Sequence, residues 1–237
     1  MEIFRLDSKV DAAIRLSKNV LKEKRTDNTP PYARYLGRLT RYFPNFDFSF
    51  IKPVRQKAVD LLNLKTGNRV LDVGCGSGGS FPYLLRAVSS SGEVVGVEIS
   101  SESSESARKR ITENKWKNIH VIESAAQDVR LTGKFDGLLM FAAPDVYASE
   151  EALENIFPHL RDNARIAAFG AKFSSNRPGV ILNPVLQMLY KLSFSTTPSP
   201  NYEPWQIMMK YVEGLEVKEY FFGLMFLVSG SVMTKKE

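Results

Sequence analysis

Val70-Leu71-Asp72-Val73-Gly74-Cys75-Gly76-Ser77-Gly78-Gly79 is a short apolar run that ends in an acid and then breaks into glycines. Four glycines fall within residues 74–79. Glycine lacks Cβ and enters positive φ at low cost, so the pattern marks a strand opening into a loop whose backbone lies against a ligand. A loop of this kind, between a strand and a helix, suits a nucleoside-bearing cofactor. It predicts an α/β fold.

The flanking sequence continues that rhythm. Pro53 opens a helix with Val54, Ala58, Leu61 and Leu62 on its apolar face, and Arg69 to Val73 is the first strand. After the glycine loop come a helix over Phe81 to Val88 and a strand over Glu93 to Ile99. A polar helix over Ser100 to Asn114 and a third strand over Ile119 to Ile122 follow. Phe135 to Phe141 reads as a fourth strand, apolar almost throughout, as expected when both faces of a parallel sheet are covered. Ser149 caps a helix bearing Leu153, Ile156, Phe157 and Leu160. A turn at Asp162-Asn163 then leads to a fifth strand, Arg165 to Gly170. Asn183-Pro184 starts an apolar helix, and Glu203 to Val212 reads as another short one. Glu216 to Gly223 and Leu224 to Met233 form a closing antiparallel pair. The expected architecture is a doubly wound, Rossmann-like sheet of seven mostly parallel strands with an antiparallel C-terminal strand. A helical cap over residues 1–52 precedes a main domain over 53–237, with a helical insertion at about 171–212.

Composition sets further bounds. The chain has 237 residues, 43% hydrophobic and 24% charged, an ordinary balance for one sizeable globular domain. Its single cysteine, Cys75, excludes an internal disulfide and any paired-cysteine metal site. Charges at Asp7, Lys9, Asp11 and Arg15 exclude a secretory leader, and no run approaches about 20 uninterrupted apolar residues. The expected location is the cytoplasm, with no metal. The net charge of +6, concentrated before residue 60, fits a solvated helix face; nucleic acid or anionic lipid is the alternative.

Two cofactors compete for the glycine loop. Gly74, Gly76 and Gly79 satisfy the dinucleotide spacing GxGxxG, with Glu98 at the end of the next strand as a ribose-binding acid. Asp72 decides between them. A carboxylate two residues before the first glycine would face a pyrophosphate with like charge, whereas it suits a cationic group. S-adenosylmethionine carries a sulfonium and an ammonium there. No lysine or arginine follows the glycines to neutralise a phosphate.

Over about residues 53–170 the chain resembles the class I S-adenosylmethionine-dependent methyltransferases, of the small-molecule, lipid or quinone kind. Val70 to Gly78 matches the form [VL]-L-D-V-G-C-G-x-G. Glu98 closes Val94-Val95-Gly96-Val97-Glu98, and Phe135-Asp136-Gly137-Leu138 matches F-D-x-[VIL]. The resemblance implies that S-adenosyl-L-methionine is held by Asp72, Gly74, Cys75, Gly76, Gly78, Glu98, Ile99, Ala126, Gln127 and Phe141. Glu98 would take both ribose hydroxyls. Ala125 stands where relatives usually carry an aspartate for the adenine amino group, which leaves that contact to Ala126 or Gln127. Cys75 reads as a small buried residue rather than a nucleophile.

The resemblance implies direct attack of an acceptor on the sulfonium methyl. Phe141-Ala142-Ala143-Pro144-Asp145-Val146-Tyr147 is not the [DN]-P-P-Y motif of enzymes acting on planar amino groups, because Ala142 replaces the acid or amide. Asp145 and Tyr147 are the polar candidates to face the acceptor, and Tyr32 and Tyr35 could lie on an N-terminal lid. The apolar helix after Asn183 can roof an acceptor pocket or make a peripheral membrane contact. The expected acceptor is a small or lipid-like molecule, with RNA or protein as alternative. A dinucleotide oxidoreductase or a non-catalytic binding protein is the reading from another class.

Overall fold

The computed structural model describes residues 51–193 and 203–234. The helix expected near residues 7–24 and the lid tyrosines Tyr32 and Tyr35 lie outside them.

The elements run α1 (Lys52–Leu61), β1 (Arg69–Val73), α2 (Phe81–Val88), β2 (Glu93–Glu98), α3 (Ser101–Glu113), β3 (Ile119–Glu123), β4 (Phe135–Phe141), α4 (Pro144–Tyr147), α5 (Glu150–Ile156), β5 (Leu160–Ala171), α6 (Arg177–Val180), α7 (Asn183–Ser193), β6 (Val212–Tyr220) and β7 (Met225–Val232). The strands form one seven-stranded sheet in the order β3-β2-β1-β4-β5-β7-β6. All pairings are parallel except those of β7, which runs antiparallel to both β5 and β6. The Rossmann-like expectation is met, including its antiparallel C-terminal strand.

Side chains alternate between the sheet's two faces, and both faces are dry. Val70, Val94, Leu139 and Phe141 pack with Val54, Ala58, Leu84 and Ala107 from α1, α2 and α3. Leu71, Val95, Leu138 and Met140 pack on the other face with Leu153, Ile156, Trp205 and Met208. The helix starts follow local chemistry: the Ser100 and Ser149 hydroxyls accept from Ser103 N and Ala152 N, at 3.3 and 3.2 Å.

Several boundaries differ from expectation, each for a reason beyond local pattern. Pro158 stops α5, so Phe157–His159 is a single 3₁₀ turn and Leu160 already belongs to β5. The Asp162-Asn163 turn is absorbed into β5 as an irregularity, with Asn163 at φ 60°. The helix expected over Glu203 to Val212 is a turn segment with one 3₁₀ turn at Met208–Lys210, and Val212 starts β6. Burial of Trp205 edge-on against Phe226, ring centres 5.1 Å apart, sets that path. The closing turn is displaced too: Phe221, Phe222 and Gly223 all take positive φ, so β6 ends at Tyr220.

After β5, Ser174 and Asn183 exchange hydrogen bonds. Ser174 N donates to Asn183 Oδ1 at 2.9 Å, and Asn183 Nδ2 donates to Ser174 O at 3.0 Å. The Ser174 hydroxyl donates to Phe222 O at 2.6 Å, tying the start of α7 to the β6–β7 turn. Beyond this brace Ile181, Val185, Met188 and Phe222 are exposed.

Candidate active site

β1 lies between β2 and β4, so the chain winds outward to β3 and then crosses back. Ligands of open α/β sheets settle at the carboxyl ends of the strands at such a reversal. The glycine loop leaves β1 at that point.

Hydrogen bonds stitch the loop to the end of β2. Gly74 N and Cys75 N donate to Val97 O at 2.8 and 3.1 Å, and Gly78 N to Cys75 O at 3.0 Å. Glu98 holds the loop with its carboxylate: Oε2 accepts from Gly76 N at 2.9 Å and Oε1 from Ser100 N at 2.8 Å. Two glycines show why a side chain fails here. Gly74 has φ 73°, and a Cβ would lie 2.5 Å from that of Ala143. Gly76 has φ 55°, yet among the described residues a Cβ there meets nothing within 4 Å, so its bare backbone borders open space. Ile99, 70% exposed, adds an apolar surface just past Glu98.

Asp72 is 1% exposed, and neither carboxylate oxygen has a hydrogen-bond partner among the described residues. Burial pushes its pKa from 3.8 to about 7; the Arg55 guanidinium pulls it down and the Glu98 charge pushes it up. A buried carboxylate without donors is unstable unless something supplies positive charge. Arg55 itself, from α1, lies 4.6 Å above the Phe141 ring, and Phe141 stacks on Phe169 at 4.5 Å. Cys75 is buried, and burial together with the Asp72 and Glu98 charges drives its thiol well above the usual range.

The structure brings Asp72, Gly74, Cys75, Gly76, Gly78, Glu98 and Ile99 together around the loop. Phe141 ends the neighbouring strand. Ala126 is buried and Gln127 exposed in the turn after β3. Asp136, from the F-D pattern, stands at the opposite end of the sheet, accepting from Arg69 N at 2.8 Å and pairing with Arg161 at 3.1 Å. Asp145 is exposed on α4. Tyr147 corrects the expectation that it faces an acceptor. It is 1% exposed, edge-on to Phe226 with ring centres 5.6 Å apart, and packs in the core face opposite Asp72. Val146 and Tyr147 both turn inward because α4 is one short turn laid on β5 and β7.

Two residues escape sequence reading. Arg55 sits inside the apolar stripe of α1, next to Val54 and three residues before Ala58; a charge within such a stripe is the one available signal. Asn155 donates through Nδ2 to Ala126 O and Val129 O, both at 2.9 Å, and so fixes the turn after β3. No local pattern marks it. At the end of β4, Ala142 takes φ 59°, a left-handed conformation uncommon for alanine.

Residues 64–177 match the family described as "Methyltransferase domain". The aklanonic acid methyltransferase DauC of Streptomyces sp. (strain C5) is 37% identical over 78 residues, 33% of this chain and 36% of that protein. The ribosomal RNA small subunit methyltransferase H of Clostridium botulinum (strain Hall) is 22% identical over 151 residues, 62% of this chain and 48% of that protein. The chain thus spans about a third to a half of the length of these curated relatives. A SAM-dependent methyltransferase from Aquifex aeolicus shares the fold with a TM-score of 0.56 at 21% identity, over 76% of this chain and 89% of that one. With the glycine loop, the acid before it and the acid closing β2, these matches show that residues 64–177 are similar to the methyltransferase-domain family and that the chain shares its fold with S-adenosylmethionine-dependent methyltransferases.

Proposed function

We propose that the protein transfers the methyl group of S-adenosylmethionine to a small, largely apolar organic molecule. The observation that carries the cofactor half is Asp72: a buried carboxylate whose two oxygens have no donor among the described residues, beside a loop whose bare backbone borders open space. That arrangement repels a pyrophosphate and accepts a cation.

When bound, the cofactor supplies an electrophilic methyl on a sulfonium whose sulfur leaves as a neutral thioether. The chain's work is then placement. Gly76 lets the ligand approach main chain. Glu98, already fixed by two N–H groups, has lone pairs left for the ribose hydroxyls. Ile99 offers an apolar face to the adenine, and the turn at Ala126 and Gln127, pinned by Asn155, borders its edge. Asp72 neutralises the ammonium. Asp145, exposed on α4, is the acceptor-side candidate that remains once Tyr147 is assigned to the core.

Support for a small acceptor comes from the likeness to the aklanonic acid enzyme and from the apolar side chains of α7. A second reading, an RNA acceptor, is favoured by the net charge of +6 and the likeness to the ribosomal RNA enzyme. Among the described residues no helix is long and apolar enough to cross a membrane.

Calorimetry with S-adenosylmethionine, S-adenosylhomocysteine and NADH tests the cofactor. The first two are expected to bind; binding of NADH alone refutes the reading. Incubating cell extract with isotope-labelled S-adenosylmethionine tests the acceptor. Label in an organic-soluble small product is expected, and label confined to RNA or protein overturns the small-molecule assignment.

A further inference from the structure

We propose that the exposed apolar face formed by α6, the start of α7 and the β6–β7 turn docks on an anionic phospholipid bilayer. Docking names the phase that supplies an apolar acceptor, and in that respect rests on the function proposed above.

The face is assembled from parts distant in the chain. Lys172 N donates to Leu224 O at 2.9 Å, which carries the pairing of β5 with β7 one step past Ala171 and Met225. Gly179 in α6 lies so close to the β6–β7 turn that a Cβ would stand 2.4 Å from Phe222 O. The Ser174 hydroxyl holds the same carbonyl. β5 runs parallel to β4, and β4 to β1, so this face stands at the carboxyl end of the sheet, where the glycine loop also lies.

Its side chains are apolar and open to solvent. Ile181 is 78% exposed and Phe222 66%, and Val180, Leu182, Val185 and Met188 are exposed as well. Val185 and Met188 are three residues apart and share one side of α7. An exposed apolar side chain standing singly is ordinary, whereas a cluster on adjoining elements marks an interaction surface. α7 has 11 residues, about 16 Å of helix against the roughly 30 Å of a bilayer core. It is suited to lie along an interface and too short to cross it.

Charge selects the occupant. From Asn163 to Tyr202 the sequence has no aspartate or glutamate, while Arg177 falls in α6 and Lys191 in α7. Glu219, near the turn, is paired with Lys172. An apolar face edged by cations matches an anionic bilayer: apolar side chains enter the headgroup boundary and the cations meet phosphates. The net charge of +6 adds attraction at longer range. A second copy of the chain is a poorer occupant, because a two-fold contact sets the same cationic patch against itself. RNA is poorer too, since Ile181, Val185 and Met188 offer nothing to phosphates or base edges.

The test is co-sedimentation of the full chain with vesicles of phosphatidylcholine, either alone or with about 30% phosphatidylserine. Two cations at about 1 kcal/mol each predict binding about 10- to 30-fold tighter to the anionic vesicles, weakened by salt. The double variant Ile181→Ser/Met188→Ser keeps every charge and is expected to bind anionic vesicles at least about tenfold more weakly. Both side chains are exposed, so its melting temperature should stay within about 2 °C of wild type. Arg177→Gln should lose about fivefold on anionic vesicles and less than about twofold on neutral ones. Absence of wild-type binding to either vesicle overturns the inference, whatever the variants do. So does a serine pair that binds as wild type does. A dimer in solution that the serine pair dissociates overturns it in favour of a second copy. Vesicle binding is read without cofactor or acceptor, so its failure leaves the methyl-transfer reading standing, and failure of that reading leaves the docking face standing.

Discussion

Asp72→Asn is expected to make the protein more stable and less able to bind its cofactor, and the stability gain should depend on pH in a defined direction. In the folded chain the Asp72 carboxyl titrates at about 7, against 3.8 unfolded, chiefly because burial disfavours its charge. The folded state therefore binds more protons than the unfolded state between those values. Stability from this group is fully present below about pH 4 and is lost as pH rises to about 7. At 1.36 kcal/mol per pH unit, the full loss is about 4 kcal/mol, of which about 3 kcal/mol falls between pH 5 and pH 8. Asparagine has the same shape and no charge, so it escapes this loss. For a chain of this length each kcal/mol moves the melting temperature by about 2–4 °C. Melting curves of the ligand-free proteins should thus show Asp72→Asn gaining about 5–10 °C on wild type between pH 5 and pH 8. Comparing the two proteins at each pH cancels every other titrating group. A variant that loses stability equally at both pH values would refute the reasoning, because it would mean that Asp72 is satisfied within the protein.

Four further outcomes follow from the site. Gly74→Ala should destabilise by about 2–4 kcal/mol through its clash with Ala143. Gly76→Ala should cost only about 1–2 kcal/mol yet weaken cofactor binding at least about tenfold, since its methyl enters open space beside the loop; melts and calorimetry separate the two effects. Asn155→Ala, which strips hydrogen bonds from Ala126 O and Val129 O, should lower stability by about 1–3 kcal/mol and weaken 5′-methylthioadenosine more than Asp72→Asn does. Tyr147→Phe should leave kcat and KM within about twofold in a methyl-transfer assay, and a tenfold fall in kcat would return that residue to acceptor chemistry.

The strand, glycine loop and helix around the candidate site were legible because their information is local. Strand, acid, glycines and helix follow one another from Val70 to Val88, and each reports on its neighbours. Glu98 is read as easily, since strand length places it at the rim. What was illegible depends on partners distant in the chain. Trp205 abandons a helix because Phe226 offers it an edge. Asp162-Asn163 looks like a turn, but β4 has a register shift opposite it that takes up the slack. Arg55 resembles a solvated charge until α1 is laid against Phe141. Tyr147 looks polar and well placed, and only the packing of α4 on β5 and β7 turns it inward.

The brace between Ser174, Asn183 and Phe222 has a consequence for how this protein can change. Its bonds to Ser174 and Phe222 reach main-chain atoms, which every substitution preserves. Among the described residues, the exposed Val185 and Met188 of α7 take no part in this brace. Drift at those positions therefore leaves the scaffold seated. New partners at the rim can therefore be met by exchanging outward side chains alone, while Ser174 and Asn183 remain the fixings of an interchangeable part.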